Sequence, residues 1–240
     1  MFTPRQTNTG LYVHLHERGF SKDDIRRVQG AYVLACNMFN ARYRKTGRAF
    51  ICHAVGAASA CAEFIDDIDV VIASLLHAGY DSGLFPDGKA GNPSAKRRQW
   101  MRDHIGEVSE RLAHDYQSVD FDRGGPEQIL QSGPDKIERN LLMMALTHEL
   151  DDMADGGLAF APKYGESVEG RLIACAALAE HLGETRLADL FKQQVKAQSD
   201  YEWMHDLKAD ELRGFWIVPN LLAYLRLRKG VAKGRWARLY

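Results

Sequence analysis

Hydrophobic side chains recur every three or four residues along most of the chain, which is the period of an amphipathic helix. The clearest stripe follows Ser21, where positions 25, 28, 32, 35, 39 and 43 are apolar or aromatic. Ser21 fits the N-cap of this helix, with Asp24 as the partner in a capping box. An alanine-rich helix over 53–64 and an apolar helix from about residue 70 to His77 are predicted next.

The same period continues in the second half of the chain. It predicts a long helix from Asp135, a helical hairpin over 167–182 and 184–198 with Gly183 in the turn, and a last helix over 220–228. Residues 11–16 instead alternate like a short strand, which would place His14 and His16 on one side of it.

These elements predict an all-α fold of roughly eight to ten helices. We divide it into an N-terminal segment (1–20), a helical domain (21–164) and a C-terminal helical extension packed on that domain (165–240). A chain of 240 residues is long enough for one domain with a sizeable core and such an appendage.

Charge and composition narrow the function classes. The net charge of −1 gives no overall attraction to nucleic acid or to an anionic membrane. No apolar run reaches the roughly 18–20 residues of a spanning helix, and the first residues do not lead into a signal-peptide core. We therefore expect a cytoplasmic protein without a nucleic-acid or membrane partner. The four cysteines form no CxxC pair and are expected to be free thiols.

Three histidines are candidates for chemistry. Twenty-four positions separate His53 from His77, enough for two antiparallel helices that bring the imidazoles together. His148 continues the apolar stripe of the long helix, and Asp152 lies one turn further along the same face. A histidine on such a stripe is ordinarily a hydrogen-bonded core residue, so the pattern leaves a core role and a ligand role open.

Basic and flexible segments flank these histidines. A basic turn containing Arg44, Lys45 and Arg48 precedes His53, and a loop over 81–95 rich in Gly, Pro and Asp follows His77, as substrate loops often do. A basic cluster over 96–102 comes next, either as a solvated helix face or as an anion contact. The basic and aromatic tail over 229–240 is open to three interpretations: a packed extension, a subunit contact or a phosphate-facing arm. The pattern favours the first two, and a subunit contact would make the protein a homo-oligomer.

Several motifs occur in a fixed order between about residues 30 and 160. The opening motif Arg-x-x-Gly-x-x-aromatic-Ile-x-His comprises Arg44, Gly47, Phe50, Ile51 and His53. A helix end of the type Ala-x-Leu-Leu-His covers 73–77, Gly-Glu-Val covers 106–108, and 147–153 stands where the last motif is expected. In this order the segment resembles the HD-domain superfamily, and within it the RelA/SpoT-type hydrolase domains that remove pyrophosphate from guanosine alarmones.

A group of HD-like proteins with a His-x-x-Tyr motif followed by Gly and Phe is also similar; here these residues are His77, Tyr80, Gly83 and Phe85. The resemblance implies an HD-domain-like helical bundle. It also marks departures: Ala78 replaces the metal aspartate after His77, His148 replaces the last metal aspartate, and Asp81 with Ser82 replaces a carboxylate pair.

By this resemblance the expected metal ligands are His53, His77 and His148, with Asp81 or Asp152 as a catalytic base or fourth ligand. Imidazole and carboxylate suit Mn, Fe or Zn. The expected substrate contacts, taken from the basic turn, the second motif and the basic cluster, are Arg44, Lys45, Arg48, Tyr80, Arg98 and Arg102.

Three functions remain open from the sequence. The first is a metal-dependent phosphohydrolase acting on a small phosphorylated or nucleotide-like compound. The second is a catalytically degenerate HD domain that binds a ligand or a partner. The third is an HD-type iron oxygenase, which needs more His and Asp ligands than the sequence readily supplies.

Overall fold

The structure is a computed structural model, and it describes residues 2–44, 46–121, 125–157, 168–199, 215–217 and 221–234. The fold is all-α, as predicted. The α-helices are α1 (Asn8–Glu17), α2 (Lys22–Met38), α3 (Phe50–Phe64), α4 (Ile68–Leu75), α5 (Gly79–Ser82), α6 (Ala95–Ile105), α7 (Glu107–Asp115), α8 (Gly125–Ser132), α9 (Arg139–Met153), α10 (Val168–His181), α11 (Thr185–Ser199) and α12 (Leu221–Ala232).

Short 3₁₀ turns cover Tyr116–Ser118, Pro134–Lys136 and Ala154–Gly156, and two short strands, β1 (Arg42–Arg44) and β2 (Phe215–Ile217), form an antiparallel ribbon. Arg42 pairs with Ile217 and Arg44 with Phe215. The sequence did not predict this ribbon, which fixes the backbone just before α3.

Helix α3 is the centre of the molecule. It packs against α1, α4 and α9, and 11 of its 15 residues are buried. A helix that is apolar on all sides is typical of a core position. The small side chains over 54–62 let the neighbouring helices approach closely, and this approach brings the end of α9 against the first turns of α3.

Side-chain caps begin several helices, although the long helix predicted from Asp135 begins at Arg139 and the helix predicted to reach His77 ends at Leu75. Ser21 and Asp24 form the predicted capping box, Asp67 caps α4, and Ser94 caps α6. Gly183 has φ +76° in the turn of the α10–α11 hairpin, a backbone region that favours glycine. The apolar core runs without a break from Leu11 in α1 to Phe191 in α11.

The strand predicted over 11–16 is wrong, because these residues belong to α1. Thr7 caps this helix by accepting a hydrogen bond from the Gly10 backbone at 3.1 Å. The buried residues Leu11, His14 and Leu15 follow the helical spacing, which outweighs the short alternation. His14 lies 3.4 Å from Glu63, whereas His16 is exposed, so the two histidines do not share a face.

Two further predictions need correction. The stripe that begins after Ser21 does not continue to Tyr43, because α2 ends at Met38 and Ala41, at φ +59°, turns the chain into β1. The loop over 81–95 is partly core: Leu84 and Phe85 are fully buried, and the Leu84 backbone donates to the Met38 carbonyl at 2.8 Å.

The last described helix, α12, is tied to this packed loop. The Arg228 side chain donates to the Gly88 carbonyl at 2.7 Å, and Arg42 donates to the Tyr224 hydroxyl at 2.7 Å. Residues 235–240 of the basic tail lie outside the described residues. Within the described ranges, none of the helices combines the length and apolar character needed to cross a bilayer.

Candidate metal centre

Three imidazoles meet at the inner end of α3. His53 comes from the first turns of α3, His77 follows the end of α4, and His148 comes from α9. Their ring centroids lie 4.8–5.1 Å apart in edge-to-face pairs. His53 and His77 are buried, and the His148 side chain is 13% exposed. The structure therefore brings together the three histidines that the sequence singled out as ligands.

The neighbours of the His77 and His53 rings are the basis for assigning which ring nitrogen carries the proton. His77 Nδ1 lies 2.8 Å from the Ser74 carbonyl, an acceptor, so Nδ1 donates and Nε2 carries the lone pair. His53 Nδ1 lies 2.7 Å from Asp151 Oδ2, and His53 Nε2 lies 2.9 Å from an Arg44 Nη1 donor. Arg48 Nη2 also lies 3.1 Å from His53 Nδ1. We assign the His53 proton to Nδ1, because the carboxylate of Asp151 is the nearer partner there, and this assignment leaves the lone pair at Nε2.

The two lone-pair nitrogens lie 3.3 Å apart. Two nitrogens each ~2.0–2.1 Å from a tetrahedral ion would be about 3.3–3.4 Å apart, so this spacing fits two ligands of one metal. The ligand atoms of the three histidines all lie within 4.8 Å of one another. Because Asp151 and the Ser74 carbonyl lie at the opposite ring nitrogens, His53 and His77 each have the outer hydrogen bond typical of a metal-ligating histidine.

Two adjacent carboxylates from the end of α9 complete the cluster. Asp152 accepts two hydrogen bonds of 2.7 Å from Arg44 and lies 3.9 Å from His148 Nδ1, one helical turn away. Asp151 points to the other side, where it accepts from His53 and from Arg48. His53, Asp151 and Asp152 form a second group of potential metal donors with ligand atoms within 4.8 Å.

The sequence reasoning missed Asp151, which has no exposed side-chain surface. A Cβ atom placed on Gly56 would lie 1.8 Å from Asp151 Oδ1, so Asp151 fits against α3 because residue 56 is glycine. The available signals were the Asp151–Asp152 pair and a glycine one turn after His53. The helical face shared with His148 pointed only to Asp152.

Burial changes the protonation of this cluster. Burial lowers the pKa of His53 well below its ordinary value, and the charge of Arg44 acts in the same direction, so the ring is neutral. Burial raises the pKa of Asp151 to about 7; the Arg48 charge opposes this rise and the Asp152 charge adds to it.

The basic turn before α3 supplies both guanidinium groups of the cluster. Its ends are held by the Arg44 backbone N–H, which donates to the Arg48 carbonyl at 2.8 Å, and Gly47 turns the chain at φ +82°. The Arg44 and Arg48 side chains are 22% and 17% exposed, so they lie between the buried rings and solvent. Lys45, also predicted as a substrate contact, lies outside the described residues.

The remaining predicted substrate contacts meet elsewhere, at a buried glutamate. Glu110 accepts from the Tyr80 hydroxyl at 2.7 Å, from Arg98 at 2.7 Å and from Arg102 at 3.2 Å. Burial alone would raise the pKa of Glu110, but the hydrogen bonds from Arg98 and Tyr80 lower this pKa below its ordinary value. The sequence did not single out Glu110, which joins α5 and α6 to α7.

Asp81 does not join the histidines. Its side chain is exposed on α5, its charge acts on Arg42, and among the described residues it belongs to none of the potential metal groups. Ala78 directly follows His77 and carries no donor. Asp152 is the carboxylate near two of the imidazoles, 3.9 Å from His148 Nδ1 and 3.5 Å from His53 Nδ1.

A comparison with protein-family models finds no match, and a comparison with curated proteins finds none either.

Proposed function

We propose that this chain is a metal-dependent hydrolase that removes a phosphate or pyrophosphate group from a small, nucleotide-like compound. The observation that carries the proposal is the pair of lone-pair nitrogens of His53 and His77, 3.3 Å apart, with His148 beside them. A neutral imidazole set with a neighbouring carboxylate suits Zn, Fe or Mn.

The charges of the cluster favour an anionic substrate. Above about pH 7, where Asp151 is ionised, Arg44 and Arg48 are balanced by Asp152 and Asp151, to which they are hydrogen-bonded. A divalent cation would add two positive charges to this balanced site. A phosphate group would offset them, and the two partly exposed guanidinium groups can bind its oxygens in a bidentate manner.

The roles of the chain's own residues follow from their positions. A metal bound here would lower the pKa of its water and so supply a nucleophile near neutral pH. His53, His77 and His148 would hold the ion. Asp152, next to the imidazoles, is the carboxylate that we assign to receive the proton of the attacking water. Asp151 orients His53 through Nδ1.

The order of motifs supports the same proposal by analogy, because it resembles that of the HD-domain hydrolases. The departures change the donor set: Ala78 removes the aspartate after His77, and Asp152 offers a carboxylate one turn after His148. We assign the base role to Asp152 rather than Asp81, because Asp81 is exposed and outside the group of donors. Fold resemblance alone does not assign an activity.

One observation favours a second candidate, a ligand-binding domain without a metal. Arg44 already bonds to both oxygens of Asp152 and to His53 Nε2, so this carboxylate has a cationic partner without a metal. In that case an anionic ligand would bind to the two arginines without being hydrolysed.

Metal analysis distinguishes the two candidates. Protein purified without tag or chelator is analysed by mass spectrometry, together with His53→Ala, His77→Ala and the exposed-histidine control His16→Ala. We expect near-stoichiometric metal in the wild type and in H16A, and its loss in the other two. Phosphate release from a panel of nucleotides then gives the substrate, with Asp152→Asn expected to bind metal but to turn over slowly.

No metal in the wild type, even after reloading with Mn, Fe or Zn, would leave the binding domain as the better description. Iron together with substrate-dependent oxygen uptake would instead indicate the oxygenase.

A further inference from the structure

We infer that Arg44 is the resident cation of the metal-free site, which means that its guanidinium supplies the positive charge there. A metal ion and this guanidinium then exclude each other at His53 Nε2, and the displaced guanidinium binds the anionic group of the substrate. The last clause rests on the proposed function. The first two rest on the geometry of the described residues alone.

Mutual exclusion follows from the single lone pair at His53 Nε2. With the ring proton assigned to Nδ1, on the side of Asp151, Nε2 is the nitrogen left to accept a hydrogen bond or to bind a metal. Arg44 Nη1 occupies that position at 2.9 Å. A metal that takes the Nε2 lone pair must therefore replace the Arg44 hydrogen bond.

Arg44 also holds the carboxylate nearest the imidazoles. Its Nη2 donates to both Asp152 oxygens at 2.7 Å, and its Nη1 spans to His53. The guanidinium thus bridges two potential metal donors that share a group with ligand atoms within 4.8 Å. It provides there the positive charge that a metal would provide.

Arg48 differs from Arg44 in a way that makes the two a matched pair. Arg48 bonds to Asp151 and lies 3.1 Å from His53 Nδ1, on the opposite side of the ring. A metal at Nε2 leaves these contacts in place. Both arginines carry one charge next to the same imidazole, but only Arg44 blocks the lone pair.

The position of Arg44 allows the displaced group to reach a ligand. Its side chain is 22% exposed and its guanidinium lies 5.9 Å from the Phe50 ring at the start of α3. Arg44 is the last residue of β1, at the edge of the basic turn. Released from Asp152, a guanidinium at this rim has its full set of donors available for phosphate oxygens. Metal and anion should then favour each other's binding, because each competes with the Arg44–Asp152 contact.

The test measures binding rather than activity. Zn²⁺ is titrated calorimetrically into the chelator-treated wild type, Arg44→Gln and Arg48→Gln, and inorganic phosphate is then titrated into the loaded proteins. We expect R44Q to bind Zn²⁺ about tenfold or more tightly than the wild type, with a clearly smaller gain in R48Q. We expect phosphate to bind loaded R44Q about tenfold more weakly than the loaded wild type.

Arg44→Lys covers the case in which R44Q does not fold. It keeps the charge, but one ammonium group cannot span His53 Nε2 and both Asp152 oxygens, so its Zn²⁺ affinity should exceed that of the wild type. An equal gain in R44Q and R48Q would reduce the effect to general charge repulsion and overturn the inference. Unchanged phosphate binding in loaded R44Q would overturn its last clause.

The outcomes separate this inference from the proposed function. If the wild type binds no metal but R44Q does, Arg44 is the resident cation and the hydrolase proposal fails. If the wild type binds metal and neither R44Q nor R44K binds it more tightly, the hydrolase proposal stands and the inference fails. If none of the proteins binds metal, both fail.

Discussion

Replacing Gly56 by alanine tests the architecture of the cluster without touching a charged residue. The new Cβ would lie 1.8 Å from Asp151 Oδ1 and 2.6 Å from its Cγ. The carboxylate would have to retreat by about 1.2 Å to reach the 3.0 Å below which Cβ contacts essentially never occur. Such a shift removes Asp151 from His53 Nδ1 and from Arg48.

The expected change in the free energy of unfolding is the difference between two opposing effects. Alanine in a helix interior is more stable than glycine by about 0.5–1 kcal/mol. Breaking a buried charge pair from one side costs about 3–5 kcal/mol, because a desolvated charge is left without its partner. We therefore expect Gly56→Ala to destabilise the fold by about 2–4 kcal/mol, and to lower the melting temperature on the order of 10 °C for a chain of this size.

Gly30→Ala is the matched control, since Gly30 lies inside α2 and a Cβ there would meet nothing within 4 Å. Thermal and urea unfolding of the two variants should give opposite signs: a small gain for G30A and a clear loss for G56A. G56A/D151A should be about as stable as D151A alone, because the clash partner is already gone. A stabilised G56A would refute the close approach of α9 to α3.

Two further predictions concern buried ion pairs. Arg171 donates to both oxygens of the fully buried Glu149 at 2.6 and 2.9 Å, so Arg171→Met should lower the free energy of unfolding by about 3–5 kcal/mol, and R171M/E149L should recover most of this loss in urea unfolding. Glu110→Gln should cost about 2–3 kcal/mol by the same assay, and it should strengthen phosphate binding only if Arg98 and Arg102 contact the substrate.

The sequence predicted the helices well where local chemistry defines them. The Ser21–Asp24 capping box and the turn at Gly183 involve residues close in the chain, and both are confirmed. The β1–β2 ribbon joins segments more than 170 positions apart. The local hydrophobic period cannot predict this pairing, because the pairing depends on the tertiary position of the C-terminal segment.

The same distinction explains what the sequence missed in the site. His148 and Asp152 lie one turn apart on one helix, so their common face could be derived from spacing. The contacts of Asp151 come from Arg48 and His53, 103 and 98 positions away. For Asp81, closeness in the chain misled the prediction: it lies only four positions from His77, yet it is exposed and outside the cluster.

The titration of Asp151 leads to a prediction about the pH dependence of stability in the metal-free, chelator-treated protein. Its pKa is about 7 in the folded state and about 3.9 when unfolded, so the folded state holds the extra proton between these values. Its contribution to stability is therefore complete below about pH 4 and lost as the pH rises through about 7, by at most about 4 kcal/mol. His53, with its lowered pKa, acts in the opposite direction: its contribution is present above about pH 6.5 and lost below.

Asp151→Asn separates these two effects, because it removes only the first. Urea unfolding of the wild type and D151N from pH 4 to pH 8 should show the advantage of the wild type shrinking as the pH rises through 7. A difference that stays constant across this range would mean that Asp151 is ionised throughout in the folded state. The two positive charges next to it would then outweigh its burial, and the cluster would hold its full negative charge for a metal even in acid.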